Sequence, residues 1–304
     1  GKRIGIKSVI FPSGDIETRI ILKYKKRLLP YYYFISSDYE ITDLFLNKKK
    51  FYELLKKTNI PHPLTYFPDS GESLNEICKN IRFPCILKPL LSAYFSSEFK
   101  KKVFTAHSKQ ELVAYYTLSQ KKNLDVLIQE IIPVRSEGVI SIDSFLDESS
   151  CLVDTFGFKR IRSYPYKFGI SCFVKQTEVP RLVDMISLLA KETGYFGLVD
   201  AEFVKDKRDG TYKFIEINPR VWMQMGYSTV YGINFSYLCY LHAIGKYKPG
   251  ESIYQREVVD EKKYRWLYFF YDLRASFTLI KHNKISLREW MESYKPKKIY
   301  GVFS

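Results

Sequence analysis

The chain has 304 residues, with 48 Lys plus Arg against 33 Asp plus Glu and a formal charge of +15. Hydrophobic residues make up 46% and aromatic residues 16%, too much apolar material for a disordered chain or a simple fibre, and enough for two or three packed units. The 5 cysteines, without a CxxC pair, argue against a disulfide framework or a structural zinc and indicate free thiols in a reducing, cytoplasmic setting.

The opening GKRIGIKSVIF has neither the apolar run nor the small-residue cleavage site of a signal peptide. Residues 31–36 (YYYFIS) read as a strand with no glycine-rich turn beside it. Over 42–59 the apolar residues Leu44, Phe45, Phe51, Leu54 and Leu55 recur at helical spacing and Pro61 and Pro63 follow, so one helix is predicted. Residues 68–71 (PDSG) mark a turn, and a new unit begins near residue 70 with a helix over 73–80 and a strand at CILKP, ended by Pro89. Strands at 100–106 and 125–132 flank a helix at 109–118, and 138–145 with 151–158 form a hairpin around the turn DESS. A helix over 180–193 has Pro180 at its start and Gly194 just past its end. The uncharged stretch 221–245 is split by Gln224, Gly226, Ser228, Gly232 and Asn234 into a loop and a short helix, not a membrane span. Beyond about residue 246 the chain is basic and aromatic, with helical periods over 264–279 and 287–292.

The chemistry concentrates in DAEFVKDKRDGTYKFIEINPR, residues 200–220, a second hairpin. If its loop is Arg208-Asp209-Gly210, with Gly210 left-handed in a bulge, pairing partners sum to 418, so Glu202 faces Glu216 and Asp200 faces Asn218. Opposed carboxylates repel unless a cation lies between them. The oxygen-only set Glu202, Glu216 and Asn218 suits Mg²⁺ and not zinc. Taken alone, the same acids fit a solvated hairpin equally well. The histidines have no metal spacing, and the lysine clusters at 48–50, 100–102 and 295–298 read as solvated faces, so nucleic acid is not the expected partner.

EINPR at the end of a strand, Lys88 in ILKP and Gln129-Glu130-Ile131-Ile132-Pro133 together resemble the ATP-grasp superfamily of carboxylate-amine ligases, from about residue 40 onward. KRIRSYP (159–165) and SLREW (286–290) resemble segments of the group that includes D-aspartate ligase. The resemblance implies an α+β fold: a truncated N-terminal α/β piece over 1–68, a small ATP-grasp subdomain over 69–124, a large one over 125–246, and a helical C-terminal appendage over 247–304. It implies ATP between the two sheets with Mg²⁺, or Mn²⁺ as the alternative. The expected reaction is amide formation through an acyl-phosphate, on acidic small-molecule carboxylate and amine substrates of cell-surface biosynthesis. Lys48, with Lys49 and Lys50 as rivals, and Lys88 would meet the phosphates, Glu130 and Ile132 the adenine, and Glu137 the ribose. Glu202, Glu216 and Asn218 would hold the metal. Arg220 would face the developing acyl-phosphate, and Arg160 and Arg162 a substrate carboxylate or the γ-phosphate, although arginines also serve in structural ion pairs.

Two departures from the superfamily stand out. Residues 90–102 (LLSAYFSSEFKKK) lack the glycines of a phosphate-covering loop, leaving Ser92, Ser96 and Ser97 as donors on a flexible lid, and only part of the usual N-terminal unit is present. The reading from another class is an RNA- or polyanion-binding protein on a degenerate scaffold; a thiol or phosphate nucleophile is the variant within the superfamily. The C-terminal lysines would suit peripheral contact with an anionic membrane.

Overall fold

A computed structural model describes residues 5–68, 73–90, 92–248, 264–295 and 298–302. The chain forms two units, one of residues 1–46, 137–203 and 216–304, the other of 47–136 and 204–215.

The first unit opens with β1 (Ser8–Ile10), α1 (Asp15–Lys23), α2 (Lys25–Leu28), β2 (Tyr32–Phe34) and α3 (Tyr39–Leu46). β1 and β2 pair in parallel, Val9 opposite Tyr33, which requires a crossover, here the two helices. The single helix expected over 42–59 is two. Asn47 is extended (φ −93, ψ 107), and its side chain accepts from the N–H groups of Lys49 and Lys50. Asparagine is among the best N-caps, so it starts a second helix while the apolar spacing continues on both sides.

That helix, α4 (Lys48–Lys57), opens the second unit, followed by β3 (Thr65–Tyr66), α5 (Leu74–Asn80), β4 (Cys85–Pro89), α6 (Ser92–Phe99), β5 (Phe104–Ala106), α7 (Lys109–Gln120) and β6 (Val126–Glu130). Ser73 and Ser108 cap α5 and α7. The antiparallel sheet runs β3-β6-β4-β5, which makes β4 an inner strand. Cys85 and Leu87 join a core with Ile77, Phe95, Phe104 and Leu112. By alternation Ile86 and Lys88 occupy the other face, where they pair with Gln129 and Leu127. Most of the glycine-free stretch expected as a lid is helical, α6, with Phe95 buried against the core, and Ser97 spends its hydroxyl on the Tyr94 carbonyl.

The chain continues with β7 (Val134–Leu146), β8 (Leu152–Tyr164), β9 (Ile170–Gln176), α8 (Pro180–Thr193), β10 (Gly197–Asp206), β11 (Tyr212–Asn218), α9 (Phe235–Ala243), β12 (Tyr264–Tyr268), α10 (Phe269–Lys281), α11 (Leu287–Glu292) and β13 (Lys298–Val302), all in the first unit except residues 134–136 and 204–215, which belong to the second. The sheet order is β11-β10-β7-β8-β9-β12-β13. α8 is bounded as expected, with Gly194 left-handed at φ 68. The helix expected from residue 264 starts at Phe269. YRWLY is a strand paired with β9 and β13, because aromatic residues at 264, 266 and 268 satisfy a two-residue period as well as a helical one.

Two bulges decide which face of this sheet each β8 arginine occupies. Phe156 and Phe158 lie in a core with Phe145, Leu198, Trp222 and Phe235, and Arg160, next on that face, pairs with Val174 of the same core. The register then shifts and Arg162 pairs with Phe173. Since Val174 and Phe173 are adjacent, they point to opposite faces, and so do their partners.

Candidate functional site

On the face that carries Phe145 and Phe158, the apolar core gives way to acids. Asn218 donates its amide to Asp200 Oδ2 at 3.3 Å, the juxtaposition expected from the 418 register. The tip differs. Gly210 is left-handed (φ 73), but the Asp206 N–H donates to the Thr211 carbonyl and the Gly210 N–H to the Asp206 carbonyl, both at 2.8 Å, so the loop also includes Lys207. The tip thus pairs one residue off the assumed count, Asp206 and not Lys207 standing opposite Thr211.

Glu202 accepts from Arg160 Nη2 at 3.0 Å, and Arg160 Nε reaches the Ser171 hydroxyl at 2.7 Å. Arg220 donates through Nε to Asp15 at 2.7 Å, through Nη1 to the Val221 carbonyl and through Nη2 to Asn218 Oδ1 at 3.3 Å. Asp200 and Asn218 are therefore linked by hydrogen bonds through Arg220 to α1.

Behind them lie polar groups the sequence reading missed. Both oxygens of Asp143, Oδ1 of Asp200 and Nε1 of Trp222 are buried without a hydrogen-bond partner. Burial, then the charge of Asp200, pushes the Asp143 carboxyl well above the usual range. Burial and the neighbouring Glu202 push Asp200 up to about 7, against the pull of Arg220 and Asn218. An unpaired buried acid is costly when ionised, so burial keeps both in the protonated form further up the pH scale. Among the described residues no group of three or more His, Cys, Asp and Glu is placed to hold a metal ion by itself. The set here is carboxylates plus an amide. Asp143 was hidden because it sits within the alternating run VISIDSF, where one acid resembles an ordinary outward residue.

Arg160 and Arg162 do not act together. Arg162 is buried on the opposite face, its Nε and Nη2 on the two oxygens of Asp272 at 2.5 and 3.1 Å, with Nη2 also on Ser293. Its guanidinium lies 4.3 Å from the Phe173 ring centroid. Trp290 Nε1 reaches Asp272 Oδ2 at 3.4 Å, and the Tyr294 hydroxyl donates to the same oxygen. KRIRSYP and SLREW thus meet at Asp272. The Nε and Nη2 edge of Arg162 is already engaged by Asp272, and the residue lies on the other face of the sheet from Arg160, which corrects the expectation of one cluster of arginines.

In the second unit, Lys48 is the first residue of α4, and Lys88 is half-buried on β4. The Glu130 carboxylate accepts from the Leu64 N–H and from Arg208 Nη1, both at 2.9 Å. It is consumed in fixing the end of β6, and the buried Ile132 follows in irregular chain. Arg208 also grips Asp206, holding that carboxyl below its usual range. Glu137 lies within β7, and its side chain is outside the described residues.

The fold these elements build is the ATP-grasp fold. The biotin carboxylase domain of Hydrogenobacter thermophilus 2-oxoglutarate carboxylase, solved with MgADP and bicarbonate, superposes with a TM-score of 0.65 at 17% identity over 80% of this chain and 55% of that one. N5-carboxyaminoimidazole synthetase from Staphylococcus aureus, solved with ADP, gives 0.63 at 14% identity over 79% and 61%. No family model matches the chain. In sequence it is similar to D-aspartate ligase of Enterococcus faecium, 24% identical over 242 residues, 76% of this chain and 57% of that enzyme. The chain thus spans little more than half of that relative's length.

Proposed function

We propose that the chain is the ATP-binding and metal-binding part of a ligase that joins a carboxylate to an amine through an acyl-phosphate, releasing ADP. The observation that carries this reading is the acid-rich base of the β10–β11 hairpin, where Asp200 keeps a buried oxygen without a partner beside Glu202, Asn218 and Arg220. An all-oxygen set of one or two carboxylates suits Mg²⁺, which keeps waters and shares phosphate oxygens. Glu202, Glu216 and Asn218 would hold Mg²⁺ or Mn²⁺, which when bound neutralises charge on the phosphates.

Arg160 and Arg220 supply the remaining positive charge on this face; to meet a substrate carboxylate and the developing tetrahedral oxyanion they would exchange Glu202 and Asp15, their present partners, for substrate. In the second unit, Lys48 and Lys88 contact the phosphates. Three lysines open α4 with no acid in its first turn, an arrangement the helix dipole disfavours and a phosphate relieves. Glu130, fixed by Leu64 and Arg208, holds the strand end from which the Ile132 backbone reads adenine, and Glu137 takes the ribose hydroxyls. The substrates are acidic small molecules of the kind cell-wall or cell-surface biosynthesis uses.

Calorimetry of the chain with ATP and GTP, with and without Mg²⁺, tests the reading. Mg-dependent binding that favours ATP is expected, weakened tenfold or more by Glu216→Gln at unchanged melting temperature, on the order of the 1.4 kcal/mol that a lost charge contact carries. Equal affinity for both nucleotides, or none for either, refutes it. ADP release with aspartate or glutamate, lost in Arg160→Ala, would establish an acidic substrate.

A further inference from the structure

α10 is amphipathic in the inverted sense. Its buried positions are Asp272, Ala275, Ser276 and Leu279, while Phe270, Leu273 and Phe277 are 47%, 40% and 71% exposed. Positions 270, 273 and 277 lie on one side of a helix with 3.6 residues per turn, and so do the exposed Arg274 and Lys281. The inversion has a cause: Asp272 must face inward to receive Arg162, Tyr294 and Trp290. That explains the polar inner face and leaves the apolar outer face unexplained.

A second exposed element adjoins it. The Tyr164 ring lies 5.3 Å from that of Tyr271, and Arg274 sits over Tyr164 at 5.9 Å. Immediately after Tyr164 the β8–β9 connection presents Tyr166 and Phe168, each 39% exposed, on either side of Lys167. Aromatic side chains and cations alternate across both elements. Among the described residues no helix is long and apolar enough to cross a membrane, so a lipid contact here would lie in the interface.

We propose that the α10 face and the 166–168 tip dock on an anionic lipid bilayer, with Phe270, Leu273 and Phe277 at the acyl boundary and Arg274, Lys281 and Lys167 on the headgroup phosphates. Helices that lie in the bilayer interface combine these features: an apolar stripe with cations at its margins. A second copy of the chain is the poorer occupant, because a two-fold contact through this face would oppose Arg274 and Lys281 to their own counterparts, on a chain of net charge +15.

Co-sedimentation of the full chain with vesicles of phosphatidylcholine alone and of an equimolar phosphatidylcholine–phosphatidylglycerol mixture tests this, with Mg-ATP binding and melting temperature as controls. The chain is expected to pellet with the anionic vesicles only. The pair Leu273→Ser and Phe277→Ser should lower the bound fraction at least tenfold, as should Lys281→Glu with Arg274→Glu, with both controls unchanged. Equal pelleting with both vesicle types, no pelleting with either, or pelleting insensitive to these substitutions overturns the proposal. A dimer in sedimentation equilibrium that Phe277→Ser dissolves would also overturn it and assign the face to self-association.

Discussion

Asp272 and Asp143 are both fully enclosed by the first unit, on opposite faces of one sheet, and their surroundings could hardly differ more. Asp272 receives both arms of the Arg162 fork, the Tyr294 hydroxyl and the Trp290 indole, with Ser276 at 3.5 Å. Asp143 has only the Trp222 indole nearby, which pulls its pKa down against burial without meeting hydrogen-bond geometry, and its neighbour Asp200 has one oxygen without a partner. A carboxylate surrounded by donors locks α10 and α11 to β8. Carboxylates short of donors hold on to their protons instead, and a cation that bound there would have to displace them. Burial alone therefore does not distinguish an architectural acid from one kept for chemistry; the count of donors does.

The largest effect should come from removing the satisfied acid. Asp272→Ala leaves Arg162 buried without a counter-charge and should cost about 3–5 kcal/mol, read by urea denaturation. The double variant Arg162→Met with Asp272→Leu should recover most of that loss, since a buried pair replaced by apolar groups of similar volume is often neutral. If Asp272→Ala costs under about 1 kcal/mol, near the worth of an exposed pair, the two faces are not distinct in kind.

Removing the unsatisfied acid should act in the opposite sense. Above the ordinary aspartate pKa, near 4, the unfolded chain releases the proton of residue 143, whereas the folded chain keeps it because burial raises that pKa. Folded protein then binds more protons than unfolded, so rising pH favours unfolding until the folded-state pKa is passed. Asp143→Asn has no such proton to lose and should be more stable than the wild type at pH 8, with the difference vanishing near pH 4. Denaturation midpoints of the two proteins across that range check it; parallel curves would mean that Asp143 has a donor after all.

Much of this architecture can be read from the sequence, and what cannot has identifiable reasons. Local signals were reliable: the helices expected over 73–80 and 109–118, the strand at CILKP, and Pro180 and Gly194 bounding α8. Asp200 and Asn218 do touch, but the outward count from Gly210 does not account for it, since Asp206 pairs with Thr211 at a tip that carries one more loop residue than assumed. The separation of Arg160 from Arg162 was not legible, because residues two apart on a strand share a face and no residue type announces the register shift that breaks this rule. Asp272 was invisible for a related reason: its partner lies 110 residues away, and an acid in the first turn of a helix already has an adequate local explanation.

The smallest effects should follow the distances of individual donors around Asp272. Tyr294 donates to Oδ2 with a short hydrogen bond and also accepts from Trp290 Nε1 at 2.9 Å, whereas the Ser276 hydroxyl reaches the same oxygen only at 3.5 Å. Tyr294→Phe keeps the ring against Phe173 and removes one hydroxyl, leaving the Arg162 fork in place, so it should cost about 1 kcal/mol, well below the loss of Asp272 itself. Ser276→Ala gives up a bond at the limit of hydrogen-bond geometry and gains helix propensity within α10, so it should fall within about 0.5 kcal/mol of zero. Urea midpoints of the two variants, measured beside Asp272→Ala, should therefore rank Asp272→Ala far below Tyr294→Phe and Tyr294→Phe below Ser276→Ala. A Ser276→Ala loss equal to that of Tyr294→Phe would mean that the donors act as one network in which each is indispensable. Asp272 would then be no more securely compensated than Asp143, and the contrast between the two faces would lose its physical basis.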